Sequence, residues 1–396
     1  MQPVLAQESV SFKRRCPNCD GVLRSGAVKF PGFKIVAEYT CTSCDAQFWG
    51  DVDSCFGSIA PTLYAEDKLS IIGGGEIPFW RKWSEKFHSN KVETDLEIEI
   101  SINDTVTKPA ILNCLDPLYG HSLIALLHAG YYLDNFPDVD LITLIPKNLE
   151  WLVPSGVSGV VLVEWPSAAR FSWCGCLEQR MDEALGCYDD WAFCPTLPRP
   201  IAAEIAIERY SRVTPFSREN WPAEEDGPRI VFAWRDDRLW GDSVHEQKAR
   251  INELYRGLKG IFPRLTFTVT GLSGSAVDFE EGIENQLLNS PSPEAERNWC
   301  EIYAAAEYVI GVHGSNMILP SAHAGATLEL VPDGRWSIAW TASHFRGYAG
   351  DAAAVFYHRF VPVSTDFNVI VDIVQSTLAY APKFSVLGGK PLASFS

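Results

Sequence analysis

The sequence is poor in positive charge. Among 396 residues, 33 lysines and arginines stand against 50 aspartates and glutamates, a formal net charge of −17. A surface of this sign repels phosphate backbones and anionic lipid headgroups, so we expect no general binding to nucleic acids or membranes. A local basic pocket for one small anion is compatible with this composition. Apolar residues make up 46% of the chain, which is typical of a globular protein with two or three domains.

Long apolar runs are also missing, and none approaches the roughly 20 residues that a membrane-spanning helix requires. The first 15 residues lack the basic-then-apolar order of a secretory signal. We therefore expect a cytoplasmic protein without a membrane span, in which the 11 cysteines are reduced. Reduced cysteines serve as metal ligands or as small buried side chains rather than as disulfides.

Four of the cysteines form two C-x-x-C pairs. Cys16 and Cys19 in CPNC are separated by 21 residues from Cys41 and Cys44 in CTSC. Two tight turns of this kind present four thiolates to one ion in a closed tetrahedral site. We predict one structural zinc ion in a zinc-ribbon-like unit of residues 1–58, which the metal stabilises. The alternative is four unligated thiols.

Four further cysteines cluster among aromatic residues at irregular spacings. Their neighbours and spacing favour burial over a second metal site. They are Cys174, Cys176, Cys187 and Cys194.

From residue 109 onwards, apolar strands alternate with amphipathic helices. The first half contains the strand segments PAILNCL, VDLITLIP and SGVVLVEW and the helical segment GHSLIALLHAGYYLDNF. After a polar stretch at residues 211–228, the strand segments RIVFAW, RLTFTVTG, YVIGV and ATLELV follow. Such alternation forms a parallel sheet with helices on its faces. We therefore predict an α/β protein with two Rossmann-like domains, residues 59–225 and residues 226–396.

Ligands of such sheets bind outside the carboxyl ends of the strands, which draws attention to the polar residues that follow each predicted strand. Asp116 and His121 follow PAILNCL, Arg235 follows RIVFAW, and His313 follows YVIGV. These side chains are the first candidates for a functional site.

Residues 311–334, GVHGSNMILPSAHAGATLELVPDG, join a buried strand to a predicted helix. Gly314 lets the backbone approach a ligand, and Ser315 is a good N-cap whose helix start offers free amides to an anion. The guanidinium groups of Arg235 and Arg238 match phosphate oxygens. Together these features predict a diphosphate site.

Two alternatives stay open for this segment. The arginines can instead form a surface network with the nearby acidic residues, which are Asp236, Asp237 and Asp242. His313 can be a core histidine at a tight turn.

The segment HGSNMILPSAHAGATLELVP resembles the HGAGLTNxLFLPPGxxVxExxP signature of one glycosyltransferase family. This family includes the plant xylan-decorating transferases and the animal EGF-domain O-linked N-acetylglucosamine transferase. FAWRDDRLW followed by ARINE resembles the family's strand-end arginine and its R-x-x-N-E, and LYGHSLIALL is similar to its NYxHxxxDxLxxL helix start. The resemblance covers roughly residues 109–380. The chain departs from the pattern in HGSN, in Ala125 at the family's aspartate, and in its zinc-ribbon unit, which indicates a divergent bacterial branch.

The resemblance implies a GT-B-like fold, with two Rossmann-like domains facing a cleft. It implies inverting, metal-independent transfer of a sugar from a nucleotide sugar, linked to UDP or GDP, to a hydroxyl group of a glycan or protein. The resemblance supports Arg235, Arg250, Asn252 and Glu329 as donor-binding residues. With those proposed from their chemistry, the predicted donor-binding set is Arg235, Arg238, Arg250, Asn252, Gly314, Ser315, Asn316 and Glu329. For Glu329, ribose binding and a buried structural role are both open.

The catalytic base is expected in the first domain. His121 is the first choice because neutral imidazole is a suitable base near pH 7, and Asp116 is the second. His128 is expected to pack, and His313 to donate to a phosphate oxygen or to the sugar.

One acidic motif imitates a catalytic metal site. Asp138 and Asp140 form the D-x-D pattern of metal-dependent transferases, but they precede the strand VDLITLIP and so lie at the wrong end of the sheet. We therefore expect no catalytic metal there. Asp189 and Asp190 stay unassigned.

Two other functions remain compatible with the sequence. One is a different transferase on the same scaffold, such as a polysaccharide pyruvyl transferase. The other is a non-catalytic protein that binds nucleotide sugars or glycans.

Overall fold

The chain forms two compact units in a computed structural model, Met1–Ala202 and Ala203–Ser396. The structure describes residues 1–6, 15–54, 61–65, 71–73, 78–89, 91–92, 96–166, 169–197, 205–218, 221, 227–336 and 355–388. Each unit contains a six-stranded sheet in which most or all of the strands run parallel. The predicted α/β class with two parallel sheets is confirmed.

The first unit is built around the sheet β1-β13-β9-β10-β11-β8. Strands β13, β9, β10 and β11 are parallel, and β1 and β8 pair antiparallel at the edges. The central strands are continuous apolar runs because helices or other segments cover both faces of a parallel sheet. The strands of this unit are β1 (Val4–Leu5), β2 (Leu23–Lys29), β3 (Val36–Cys41), β4 (Gln47–Asp51), β5 (Leu63–Ala65), β6 (Ile71–Gly73), β7 (Lys91–Val92), β8 (Ile98–Ile102), β9 (Pro109–Asn113), β10 (Asp140–Pro146), β11 (Gly159–Val163), β12 (Trp173–Cys174) and β13 (Ala192–Phe193).

The single helix predicted after β9 is interrupted. It forms two helices that meet at Leu127, which ends the first and begins the second. The His128 ring binds the Ile124 carbonyl oxygen at 2.8 Å, the acceptor that a continuous helix uses for the backbone of residue 128. The helices of this unit are α1 (Pro78–Ser89), α2 (Tyr119–Leu126), α3 (His128–Asn135) and α4 (Gly175–Leu185), with a 3-10 helix at Lys147–Leu152.

The four-cysteine region is part of the first unit. Strands β2 to β6 form an antiparallel sheet that continues to Gly73, so the predicted boundary at residue 58 falls inside this sheet. Phe30 and Phe48 of this region belong to the same buried core as Ile111 and Ile142 of the parallel sheet. A common core is the physical reason why residues 1–58 do not separate as a unit of their own.

The second unit has an all-parallel sheet in the order β16-β15-β14-β17-β18-β19. Its edge strand β16, IENQLL, was not predicted because its residues are polar and mostly exposed. The strands are β14 (Arg229–Arg235), β15 (Thr266–Leu272), β16 (Ile283–Leu288), β17 (Tyr308–Val312), β18 (Ala326–Val331) and β19 (His358–Pro362). The helices are α5 (Glu208–Ser211), α6 (Val244–Ile261), α7 (Pro293–Ala305), α8 (Ile318–His323) and α9 (Phe367–Gly388), with a 3-10 turn at Ser315–Met317.

The second unit begins earlier in the chain than residue 226. Ser211 Oγ lies 2.8 Å from His323 Nε2, and the Phe216 backbone N–H donates to the His323 carbonyl oxygen at 2.8 Å. Arg218 Nε donates to the Gly325 carbonyl oxygen at 2.9 Å. These bonds join the stretch predicted as a linker to the second unit.

Candidate active site

Three neighbouring strands of the second unit bring the predicted donor residues to one edge of the sheet. Strands β14, β17 and β18 lie side by side, with Ala233 beside Gly311 and Gly311 beside Glu329. Arg235 ends β14, and His313 follows β17 directly. The carboxyl ends of these parallel strands therefore meet where the sequence predicted a ligand.

Gly314 lies directly under two guanidinium groups. A Cβ atom at this position would be 2.2 Å from Nη1 of Arg238 and 2.4 Å from Nη1 of Arg235. A larger residue at this position would displace the ends of both arginine side chains. Both guanidinium groups consequently lie close to the turn that follows β17.

Arg235 is held by two neighbours. Its Nε and Nη2 donate to the two carboxylate oxygens of Asp237 at 2.6 and 2.5 Å, and its Nη1 donates to Asn316 Oδ1 at 3.0 Å. Hydrogen bonds from Arg235 hold the pKa of Asp237 below its usual value. The Asn316 Nδ2 amide is buried and has no hydrogen-bond partner among the described residues. Arg235 therefore forms the ion pair with Asp237 that the sequence left open as an alternative, and it also contacts Asn316.

Arg238 is differently placed. Its Nη1 donates to the His313 carbonyl oxygen at 2.6 Å, and no carboxylate of the described residues lies within 4.0 Å of it. Burial, followed by the positive charges of Arg235 and Arg335, lowers its pKa to about 10. A half-buried cation among other cations favours the binding of an anion.

Ser315 does not cap the helix as predicted. Gly314 precedes the 3-10 turn Ser315–Met317, no side chain caps this turn, and Met317 precedes α8. Helix α8 has only six residues, so its dipole contributes little. The positive charge of this site is therefore provided mainly by arginine side chains.

Glu329 lies in the interior between two histidines. Its side chain is 0% exposed, and its oxygens accept from His313 Nδ1 at 2.5 Å and from His358 Nε2 at 2.8 Å. Burial alone would raise the pKa of Glu329. The hydrogen bonds from the two histidines lower it by more, so the pKa of Glu329 is below its ordinary value. This placement matches the buried structural role that the sequence left open.

Arg250 and Asn252 make their contacts elsewhere in the second unit. Arg250 Nη2 pairs with Glu246 Oε1 at 2.7 Å, and its guanidinium group lies 5.8 Å from the Trp240 ring. Asn252 Oδ1 accepts the backbone N–H of Glu280 at 3.4 Å. The described contacts of these two side chains do not include the groups around Gly314.

In the first unit, Asp116 and His121 come together after β9. Asp116 Oδ1 lies 3.2 Å from His121 Nδ1 and accepts the Leu118 backbone N–H at 2.8 Å. The Asp116 side chain is 5% exposed and the His121 side chain 33%. The Trp83 ring lies 6.4 Å from the imidazole. The two residues predicted as alternative bases are therefore neighbours, and the Asp116 carboxylate lies close enough to the imidazole to act on it electrostatically.

The four predicted metal ligands converge in the first unit. All four sulfur atoms lie within 4.8 Å of one another. The sulfurs of Cys16 and Cys44 are 3.7 Å apart, and those of Cys19 and Cys41 are 3.4 Å apart. Four thiolates around one zinc ion at 2.3 Å would be separated by about 3.8 Å, so this set fits one ion.

The two cysteine turns share the same backbone pattern. Asp20 N–H donates to the Cys16 carbonyl oxygen at 2.8 Å, and Asp45 N–H donates to that of Cys41 at 3.1 Å. Both aspartates adopt positive φ angles, 59° and 54°. A hydrogen bond from the Ser43 backbone N–H lowers the pKa of Cys41 to about 6, whereas the pKa values of Cys19 and Cys44 in the same cluster are raised.

Asp140 of the D-x-D motif and His128 make contacts that belong to the fold. Asp140 begins β10, and its Oδ2 accepts the backbone N–H groups of Thr107 and Lys108 at 2.7 and 2.9 Å, which places it at the amino end of the sheet. Among the described residues, Cys16, Cys19, Cys41 and Cys44 form the one group that can hold a metal ion. His128 is buried, with its ring bound to the backbone of Ile124 and Leu197.

Sequence reasoning missed two residues of the second site. His358 begins β19 and reaches Glu329 across a strand pair, which no local pattern reveals. Arg335 follows β18 and contributes positive charge near Arg238. Its position just after a predicted strand was the one available signal.

The chain is similar to several solved glycosyltransferase structures at low identity. For the E. coli heptosyltransferase WaaC with ADP, the identity is 13%, the TM-score is 0.39, and the match covers 68% of this chain and 99% of that chain. For the iron-containing dodecameric glycosyltransferase TibC of enterotoxigenic E. coli, the identity is 10% and the TM-score 0.30, and the match covers 81% of this chain and 79% of that chain. For the spinosyn forosaminyltransferase SpnP, the identity is 12% and the TM-score 0.27, and the match covers 71% of this chain and 68% of that chain.

No family model and no curated protein matches the chain. The specific family named above therefore remains a prediction, and the function must be argued from side chains. No helix among the described residues has the length and apolar character needed to cross a membrane.

Proposed function

We propose that the protein is a glycosyltransferase whose second unit binds the diphosphate of a nucleotide sugar. The observation that supports this best is the pair of guanidinium groups above Gly314, of which Arg238 has no carboxylate partner among the described residues. Arginine forks match phosphate oxygens and often bind them in pairs. In a chain of net charge −17, such a cationic group is unlike the rest of the surface and favours an anionic ligand.

The same groups serve the reaction. When the bond between the sugar and the diphosphate breaks, negative charge develops on the leaving phosphate oxygen. Arg235 and Arg238 stabilise that charge electrostatically, and the unpaired amide of Asn316 provides a further hydrogen-bond donor. The hydrogen bond to Asp237 holds the Arg235 side chain in place.

The Asp116–His121 pair is the proposed base. Nδ1 of His121 lies 3.2 Å from the Asp116 carboxylate, which leaves Nε2 as the ring atom that we assign to the acceptor. Nε2 removes the proton of the acceptor hydroxyl, the oxygen attacks the anomeric carbon, and the carbon–oxygen bond to the diphosphate breaks. One direct displacement of this kind inverts the configuration of the sugar and requires no metal ion.

We propose that Glu329 supports His313 rather than binding ribose. Both of its oxygens are already bound to imidazole groups, and none of its surface is exposed. Arg250 and Asn252 are likewise proposed to stabilise α6 and its surroundings. The four cysteines would hold one zinc ion that stabilises the first unit, without a step in the reaction.

Nucleotide binding tests the proposal directly. Thermal shifts with UDP, GDP, CDP and ADP should reveal a stabilising nucleotide, and Arg238→Gln should weaken its binding by at least about tenfold, or 1.4 kcal/mol. Arg256→Gln is the matched control, because Arg256 is an exposed arginine of the same unit that pairs with Glu280. If no nucleotide stabilises the wild type, or if both variants behave alike, the proposed donor site is wrong.

A further inference from the structure

A buried chain of hydrogen bonds, His313–Glu329–His358, lies next to the arginine pair and has no step in the proposed reaction. All three side chains lie on one face of the second sheet. Glu329 of β18 lies beside Gly311 of β17 and Phe360 of β19. His313 is two residues from Gly311 and His358 is two residues from Phe360, and residues two apart on a strand point to the same face. The chain thus runs across three neighbouring strands.

The charge of this chain is unusual for a protein interior. Glu329 is fully buried and accepts one hydrogen bond from each imidazole, at 2.5 and 2.8 Å. A buried carboxylate requires compensation of its negative charge. Two neutral imidazoles leave the chain with one negative charge, and one additional proton on either ring makes it neutral.

Several charged groups surround His313 from the elements packed against it. Its carbonyl oxygen accepts from Nη1 of Arg238 at 2.6 Å, and the residue after it lies under both guanidinium groups. On the strand side, these groups are Glu329 from β18 and His358 from β19. At the end of β14 they are Arg235, Asp237 and Arg238, and Arg335 adds positive charge next to Arg238. A guanidinium group disfavours a second positive charge nearby, and a bound anion offsets that repulsion.

We propose that the arginine site takes up a proton when an anion fills it, and that this proton is held by the His313–Glu329–His358 chain. Glu329 and His358 are then positioning residues, which act through His313. This inference rests on the proposed anion site but not on sugar transfer. It assigns a function to His358, which the resemblance did not include.

The inference fixes the sign of a pH dependence. If binding is accompanied by proton uptake, the affinity for the anion rises as the pH falls through the range in which the chain titrates. Arginine does not titrate near neutral pH, and sulfate is a dianion throughout. With sulfate as the probe, any such dependence belongs to the protein.

The experiment uses the full chain with 15N-labelled histidine and sodium sulfate, at constant ionic strength. In the wild type we expect sulfate to move the ring signals of His313 or His358 towards the imidazolium position. We also expect its affinity to be at least about threefold higher at pH 6 than at pH 8. In Glu329→Gln both effects should disappear. His128, whose ring is bound to the backbone of the first unit, is the internal control and should not respond.

A second variant guards against loss of folding in Glu329→Gln. In His358→Gln the His313 ring is the one imidazole of the chain that is left to take the proton, so its signal should still move when sulfate is added. Sulfate binding with unchanged rings and equal affinity at both pH values would overturn this inference and leave the arginine site intact. If neither sulfate nor any of UDP, GDP, CDP and ADP binds, both the inference and the donor site are wrong.

Discussion

At the scale of single residues, Gly314 is the position of the candidate site that both guanidinium groups approach. Replacing Gly314 with alanine places a methyl group within 2.4 Å of both guanidinium groups, so they must move. We expect nucleotide affinity to fall by at least about tenfold. The fold should change little because the backbone there is extended, with φ 161°.

The control for this substitution is Gly260→Ala in α6. A Cβ atom at Gly260 meets no atom within 4 Å, and alanine favours a helix. Calorimetric titration of each variant with the stabilising nucleotide would compare them. Equal affinity in the two variants would show that the arginines do not hold the ligand.

The Asp116–His121 pair supports a second prediction at this scale. Asp116→Asn retains the shape of the side chain but removes the negative charge beside the imidazole. We expect turnover to fall by about 100-fold or more, with nucleotide affinity unchanged, because that charge stabilises the imidazolium that forms when the ring takes the proton. Initial-rate kinetics would test this against Asp104→Asn, an exposed aspartate of the same unit. Equal rates in both variants would exclude this base.

Residue identities were predictable from the sequence where the residue directly follows a strand. Arg235, His313 and Asp116 were found in this way, because strand ends are visible as the ends of apolar runs. His358 was not, because its contact with Glu329 depends on the register of two strands that are 27 residues apart in sequence. The role of Glu329 was left open for the same reason.

At the scale of elements, the four-cysteine sheet is the part whose loss should matter most to stability. Cys16→Ser should reduce bound metal from about one ion per chain to near zero. Because this sheet shares a core with the parallel sheet, we expect the melting temperature to fall by roughly 5–15 °C.

Metal analysis should measure zinc and iron together, since four thiolates bind either. Cys187→Ser is the control, because Cys187 is exposed and outside the cluster. Wild-type protein that is free of metal when purified without chelator would contradict the prediction of a metal site.

The elements themselves were largely predictable, and the exceptions have physical causes. Buried strands such as β9, β14 and β17 are short apolar runs, and they form where the sequence places them. The polar edge strand β16 has no such signal. The cap at Ser315 was wrong because the chain makes a 3-10 turn before its short helix, which depends on the packing of Met317 in the core.

At the scale of the whole molecule, the account divides binding from base catalysis between the two units. The arginine site lies in the second unit, and the Asp–His pair lies in the first. Substitutions at the arginine site should therefore weaken both binding and turnover, and substitutions of Asp116 or His121 should lower turnover alone. Composition predicted this only in part: net charge excluded broad anion binding, but it could not show where positive charge gathers.

The most direct test of the central claim is release of nucleoside diphosphate from a panel of UDP- and GDP-sugars. The account predicts slow turnover by the wild type and by Arg256→Gln. It predicts loss of turnover through weak binding in Arg238→Gln, and loss of turnover with normal binding in Asp116→Asn. A wild-type protein that binds a nucleotide sugar but never cleaves it would contradict the assignment as a transferase. Cleavage that Arg238→Gln and Asp116→Asn leave unchanged would contradict the site.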